Sequence, residues 1–182
     1  EDPELHEYYG SAGMTYDDTA YRIDVEVSYN TATGALDAVP TIWKLAEDKQ
    51  DEEVDAIAFA NEYEGEIGLT LAGEKLLTGR DLITGEFSFT LTDITAESTL
   101  SEAGLAFKLA APITVSNLFD GTFSFGEILY NQNAIGQTYV YEITENAGSF
   151  LTTHTYDDTV YTVTVTVGCN KVTGMLTLTI VR

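Results

Sequence analysis

Cysteine is almost missing from this chain. Cys169 is the only one in 182 residues, so no disulfide can form within the chain. A β-rich extracellular domain often relies on disulfides, and here any covalent staple must be of another kind. Basic residues are scarce as well, 8 against 30 acidic, for a net charge of -22. A field of that sign repels nucleic acid and anionic membrane and keeps the protein in solution. No apolar run reaches the ~20 residues that a membrane-crossing helix needs, so this segment does not insert into a bilayer. The two histidines, His6 and His154, stand in polar stretches with no Ser or Cys in a nucleophile motif nearby, which argues against an enzyme acting on an external substrate. The acidic residues form no ladder of the kind that ends in a bidentate Glu. Asp17-Asp18 and Asp157-Asp158 are too short to make a site, so neither metal nor cofactor is expected.

What the chain does contain is a repeat. TYDDTAYRIDVEV at 15–27 returns as TYDDTVYTVTVTV at 155–167, and the offset of 140 residues holds without a gap through Gly34 and Gly174. Tyr21, Ile23, Val25 and Val27 share one parity, as do Tyr161, Val163, Val165 and Val167. Period 2 with β-branched residues predicts a half-buried strand in each copy. Arg22, Asp24 and Glu26 fill the other face in the first copy, so that face should meet solvent. Asp-Asp-Thr before each run predicts a turn held by Asp side chains on nearby backbone amides.

The repeat also sets the domain map. With a period of 140 the chain holds only about 1.3 units. The expected division is 1–66, the C-terminal part of an upstream domain, and 67–182, most of a second domain that lacks its closing strand. The chain then reads as a piece of a tandem array.

Short alternating segments divided by polar turns predict an all-β, Ig-like β-sandwich. The predicted strands are 21–29, 36–45 with an edge-type interruption at Pro40, 54–63, 69–77, 87–91, 107–115, 121–128, 137–145, 161–167 and 175–181. Residues 1–14 and 92–104 read as loops, and moderate helix formers from Ser98 to Ala106 allow a short helix. Gly65–Gly68 reads as the junction between the domains.

Three polar residues fall in apolar phase. Lys75 shares parity with Leu69, Leu71 and Leu77. Glu145 shares parity with Tyr139, Tyr141 and Ile143, and Asn61 lies between Phe59 and Tyr63. One such residue is readily a strand end reaching solvent. Three together suggest a shared chemistry, because buried polar groups are costly unless satisfied. Burial favours the neutral forms of an amine and a carboxylic acid. A neutral amine is a nucleophile, a protonated carboxyl can polarise a carboxamide, and enforced contact replaces a bimolecular encounter. Attack on the amide carbon with loss of ammonia leaves an isopeptide bond.

The segments GEKLLTGRDLITGEFSFTL (73–91), DGTFSFGEI (120–128), YVYEITE (139–145) and the TYDDT strand resemble the isopeptide-linkage domain of Gram-positive pilins, the family of the streptococcal T-antigen backbone pilin. The resemblance implies a CnaB-like β-sandwich in tandem, with bonds formed autocatalytically and without a cofactor. It implies Lys75 as a linking lysine, Glu145 as the catalytic glutamate and Asn61, in FANEY, as a linking asparagine. It places the parent on the outer surface and cell wall of a Gram-positive bacterium, as a pilus or adhesin stalk. Neighbouring domains or subunits of the same filament are then the expected partners. The family order is Lys, Glu, Asn, whereas Asn61 here precedes Lys75. Asn61 is therefore expected to belong to the upstream domain, and the Asn for Lys75 to lie just past Arg182. An open sheet edge in 67–182 could also take a strand from another chain, as in donor-strand complementation. The competing reading is a ligand-binding adhesin domain that recognises host glycan or protein through exposed aromatics such as Tyr8, Tyr9 or Trp43.

Overall fold

A computed structural model describes residues 13–46, 50–148 and 155–182. Tyr8, Tyr9, His6, His154 and most of the predicted N-terminal loop lie outside the described residues. The chain divides into two compact units, Glu1–Tyr63 and Glu64–Arg182.

In the first unit, strands β1 (Met14–Thr15) and β5 (Glu62–Tyr63) pair with each other, and β2 (Tyr21–Asn30), β3 (Ala35–Lys44) and β4 (Glu52–Val54) form a separate antiparallel sheet in the order β2-β3-β4. The β2–β3 turn shows why this sequence makes a hairpin. Asn30 Oδ1 accepts the amides of Ala32 and Thr33, and Gly34, at φ +74°, donates back to the Asn30 carbonyl. A residue with a Cβ would be strained at that φ. Pro40 does not interrupt β3, because β4 flanks only Ile42–Lys44 and Pro40 needs no donor on that side.

Burial in this unit departs from expectation. Ile23, Val25 and Val27 are exposed, and so are Tyr29 and Leu36 on the same face. The strand is as the pattern predicts, but no second sheet among the described residues covers it. The predicted strand at 54–63 is also mostly absent. Its amides go elsewhere: Ala58 N–H donates to the Tyr21 hydroxyl, and Ala60 N–H to Asp17 Oδ2.

The second unit is a β-sandwich. One layer has five strands in the order β12-β11-β10-β7-β8, namely Leu176–Val181, Val160–Cys169, Thr138–Glu145, Ser88–Asp93 and Ile113–Ser116. The other pairs β6 (Glu66–Glu74) with β9 (Thr122–Asn131). Glu66–Gly68 are thus strand residues of this unit, not a junction. The core between the layers holds Leu69, Leu71, Phe125, Ile128 and Tyr130 from one side and Phe89, Leu91, Tyr139, Tyr141, Val163, Val165 and Val167 from the other. A register shift between Thr70 and Ala72 moves the inward positions of β9 from odd to even residues. The hydroxyls of Tyr130 and Tyr141 meet at 2.6 Å, and burial pushes both up, Tyr130 to about 12.

Residues 107–112 are not strand; short helix α1 (Glu102–Leu105) precedes them, and Leu109 N–H donates to Asp93 Oδ2 rather than to a ladder. Tyr161 is exposed although Val163, Val165 and Val167 are buried, because it lines the open groove rather than the closed core.

Candidate isopeptide centre

Lys75 stands one residue past the end of β6, not within a strand running to Leu77. Its position is still fixed by backbone, since its N–H donates to the Gly121 carbonyl at 2.8 Å. Gly121 has φ +88°, and a Cβ there would lie 2.4 Å from the Lys75 carbonyl oxygen. Only glycine permits both the conformation and the approach. The inward parity set by Leu69 and Leu71 carries through to Lys75, whose side chain is 12% exposed. The Lys75 amine lies 4.6 Å from the centre of the Phe87 ring, a cation–π distance.

Glu145 ends β10, where it pairs with Phe89 of β7. Its side chain is 4% exposed, and its Oε2 lies 2.7 Å from Lys75 Nζ. The same oxygen accepts the backbone N–H of Asp157 at 2.9 Å. The other oxygen, Oε1, is buried with no hydrogen-bond partner among the described residues. A buried carboxylate oxygen left unmatched is costly and calls for a partner or a role.

The pair opens onto a groove of about 800 Å³ that runs between Leu71, Gly73 and Phe123 on one side and Ile143, Tyr161 and Val163 on the other. β6 has β9 as its only strand partner among the described residues. The groove therefore follows a sheet edge with unpaired backbone groups.

Asn61 belongs to the first unit. It is exposed, not buried in an apolar phase, because the segment around it is not the predicted strand. Its Oδ1 accepts the backbone N–H of Asp17 at 2.9 Å. Trp43 is half-buried with the Arg22 guanidinium 5.6 Å above its ring, so it is not an open aromatic platform.

Strand parity points to Lys75 and Glu145, whereas the Asp-Asp-Thr pattern marks Asp157 only as a turn residue. The turn is there: Asp157 Oδ1 accepts Thr159 N–H at 2.9 Å and the Thr159 hydroxyl at 2.6 Å. These bonds, the hydroxyl first, hold the Asp157 carboxyl below its ordinary range, and the nearby Lys75 adds to the effect. What the sequence did not reveal is the Asp157 main-chain donor aimed at Glu145. Its one signal was that the Asp recurs in both copies of the repeat.

The family model for the Spy0128-like isopeptide containing domain matches residues 71–181. That span contains Lys75, Glu145 and Asp157. No curated protein and no solved structure matches the chain.

Proposed function

Because the chain belongs to the family of Spy0128-like isopeptide containing domains, a pilin-type structural domain, we propose that Lys75 and Glu145 are the reactive centre of an autocatalytic Lys–Asn cross-link. The parent is then a pilus or adhesin stalk at the surface of a Gram-positive bacterium. The observation that carries this reading is the 2.7 Å contact between the two side chains with Glu145 Oε1 buried and unmatched. Moving one proton along that contact converts ammonium and carboxylate into amine and carboxylic acid. The amine attacks the Cγ of an Asn side chain, and Glu145 carries a proton from the attacking nitrogen to the leaving one. Ammonia departs and an amide joins Nζ to Cγ. The reaction runs once per centre, so the protein is not an enzyme in the turnover sense.

Asn61 is the linking residue of the first unit, and an equivalent Asn on a strand laid in the groove serves Lys75. Where both residues belong to one polypeptide, the bond closes a long loop, worth about 4 kcal/mol by the chain-entropy relation for cross-links.

Intact mass under denaturing conditions tests the assignment. The chain alone is expected at full mass. A synthetic peptide with the sequence of residues 55–66 should add to it with loss of one ammonia, and the adduct should vanish in Lys75→Ala and Glu145→Ala. A multimer ladder, one ammonia lighter per junction, would mean that Asn61 of one chain reaches Lys75 of another. An adduct that survives Lys75→Ala would sink the assignment.

A further inference from the structure

The two copies of the Asp-Asp-Thr turn can be compared atom by atom. In both, the first Asp commits Oδ1 to the Thr two residues on: Asp17 accepts Thr19 N–H at 2.8 Å and Asp157 accepts Thr159 N–H at 2.9 Å. This leaves the same two groups pointing away from the turn, namely Oδ2 and the residue's own N–H. In the first unit both are engaged by consecutive residues. Asp17 Oδ2 accepts Ala60 N–H at 2.7 Å, and Asp17 N–H donates to Asn61 Oδ1 at 2.9 Å. One aspartate thus holds an Ala-Asn pair by one acceptor and one donor. In the second unit Asp157 N–H donates to Glu145 Oε2, the oxygen that contacts Lys75, and Asp157 Oδ2 has no partner among the described residues.

Equivalent N–H groups therefore touch the carboxamide oxygen in one unit and the lysine-paired carboxylate in the other. The donor position that holds the carboxamide in the first unit thus holds, in the second, the carboxylate that contacts Lys75. Resting on the cross-link reading above, we propose that Asp157 is the positioning residue that seats the linking Asn. Its Oδ2 receives the backbone N–H of the residue before the Asn. Its main-chain N–H turns from Glu145 to the carboxamide oxygen, where negative charge develops during attack. A donor fixed by backbone at that oxygen needs no reorganisation in the transition state. The occupant is a strand that carries an Ala-Asn pair like the one at Ala60 and Asn61.

The test uses the full chain carrying Asn61→Ala, so that only an added peptide supplies the carboxamide. The probes are the 55–66 peptide, the same peptide with an ester oxygen in place of the Ala60 nitrogen, and a non-reacting Asn61→Asp peptide for binding. Asp157→Asn keeps the Oδ1 bonds to Thr159 but turns the acceptor at Oδ2 into a donor. Its adduct rate at saturating peptide is expected to fall roughly tenfold or more, as misplacement of a reacting group does. The ester peptide should lose as much against the parent chain and nothing further against Asp157→Asn, a coupling that a merely structural Asp would not give. Thr159→Val, which weakens the turn and spares the clamp, should react at the parent rate. Equal rates for Asp157→Asn and parent overturn the clamp and leave the cross-link standing. Asp157-dependent binding of the Asn61→Asp peptide with no adduct from the Asn peptide overturns the cross-link and leaves the clamp standing. Neither binding nor adduct overturns the clamp outright.

Discussion

Lys75 Nζ and Glu145 Oε2 lie 2.7 Å apart, with side chains 12% and 4% exposed. Desolvation makes such a pair sensitive to the loss of either member, since the survivor is left buried and unmatched. Lys75→Ala and Glu145→Ala should each lower the stability of the second unit by about 3 kcal/mol, within the range for broken buried pairs. The double variant Lys75→Met/Glu145→Leu should recover at least half of that loss. Urea unfolding of the four proteins measures it, and additive single losses in the double variant would contradict the pairing.

Gly121 controls where Lys75 sits. Gly121→Ala places a methyl 2.4 Å from the Lys75 carbonyl oxygen at φ +88°, whereas Gly85, at φ +79°, has open space around its missing Cβ. Both substitutions cost about 1 kcal/mol for the backbone conformation alone. Gly121→Ala should cost at least 1 kcal/mol more and should slow adduct formation, while Gly85→Ala leaves the rate unchanged. Thermal unfolding and intact mass on the two variants decide between a specific steric role and a general glycine effect.

Acid should undo the Asp17 contacts at an unusually low pH. Bonds from the Thr19 hydroxyl, the Ala60 N–H and the Thr19 N–H lower its carboxyl from 3.8 to about 2. The depressed value means that the contribution of Asp17 is present above about pH 4 and is lost as pH falls through about 2. An NMR titration followed at the Ala60 amide should show its midpoint near 2, and Asp17→Asn should abolish the transition. A midpoint near 4 would show that Ala60 does not hold the carboxylate.

Val25 and Val165 occupy the same place in the repeat, but Val25 is 56% exposed and Val165 is fully buried. Val165→Ala should cost roughly 2 kcal/mol from lost burial and the residual cavity. Val25→Ala should stay within about 0.5 kcal/mol. Denaturant curves of both variants measure how open the first unit's apolar face is in solution.

That pair also shows what a sequence can and cannot convey. Alternation located β2 and β11 because strand period is a local property, and it placed Lys75 and Glu145 inward because parity persists to the strand ends. It could not tell Val25 from Val165, since burial depends on which layer lies opposite. The misread stretches share another cause. At 54–63 and 107–112 apolar residues alternate, but Asp17, Tyr21 and Asp93 take the backbone amides that a ladder would need. Side chains that compete for backbone donors leave no trace in hydrophobic periodicity. The Asp157 donor was illegible for a related reason, because every residue but proline has an N–H and only the fold aims it.

The hairpin of β11 and β12 turns on Asn170 and Gly174 with the same bonds as its counterpart at Asn30 and Gly34. Such a turn closes a short loop and forms early in folding, whereas β6 must find β9 across the intervening β7, α1 and β8. Lys75 and Glu145, 70 residues apart in sequence, come into contact only when that late pairing is complete. The proposed cross-link from Lys75 would therefore come after that pairing, and a chain that fails to fold would carry an unspent lysine as its mark.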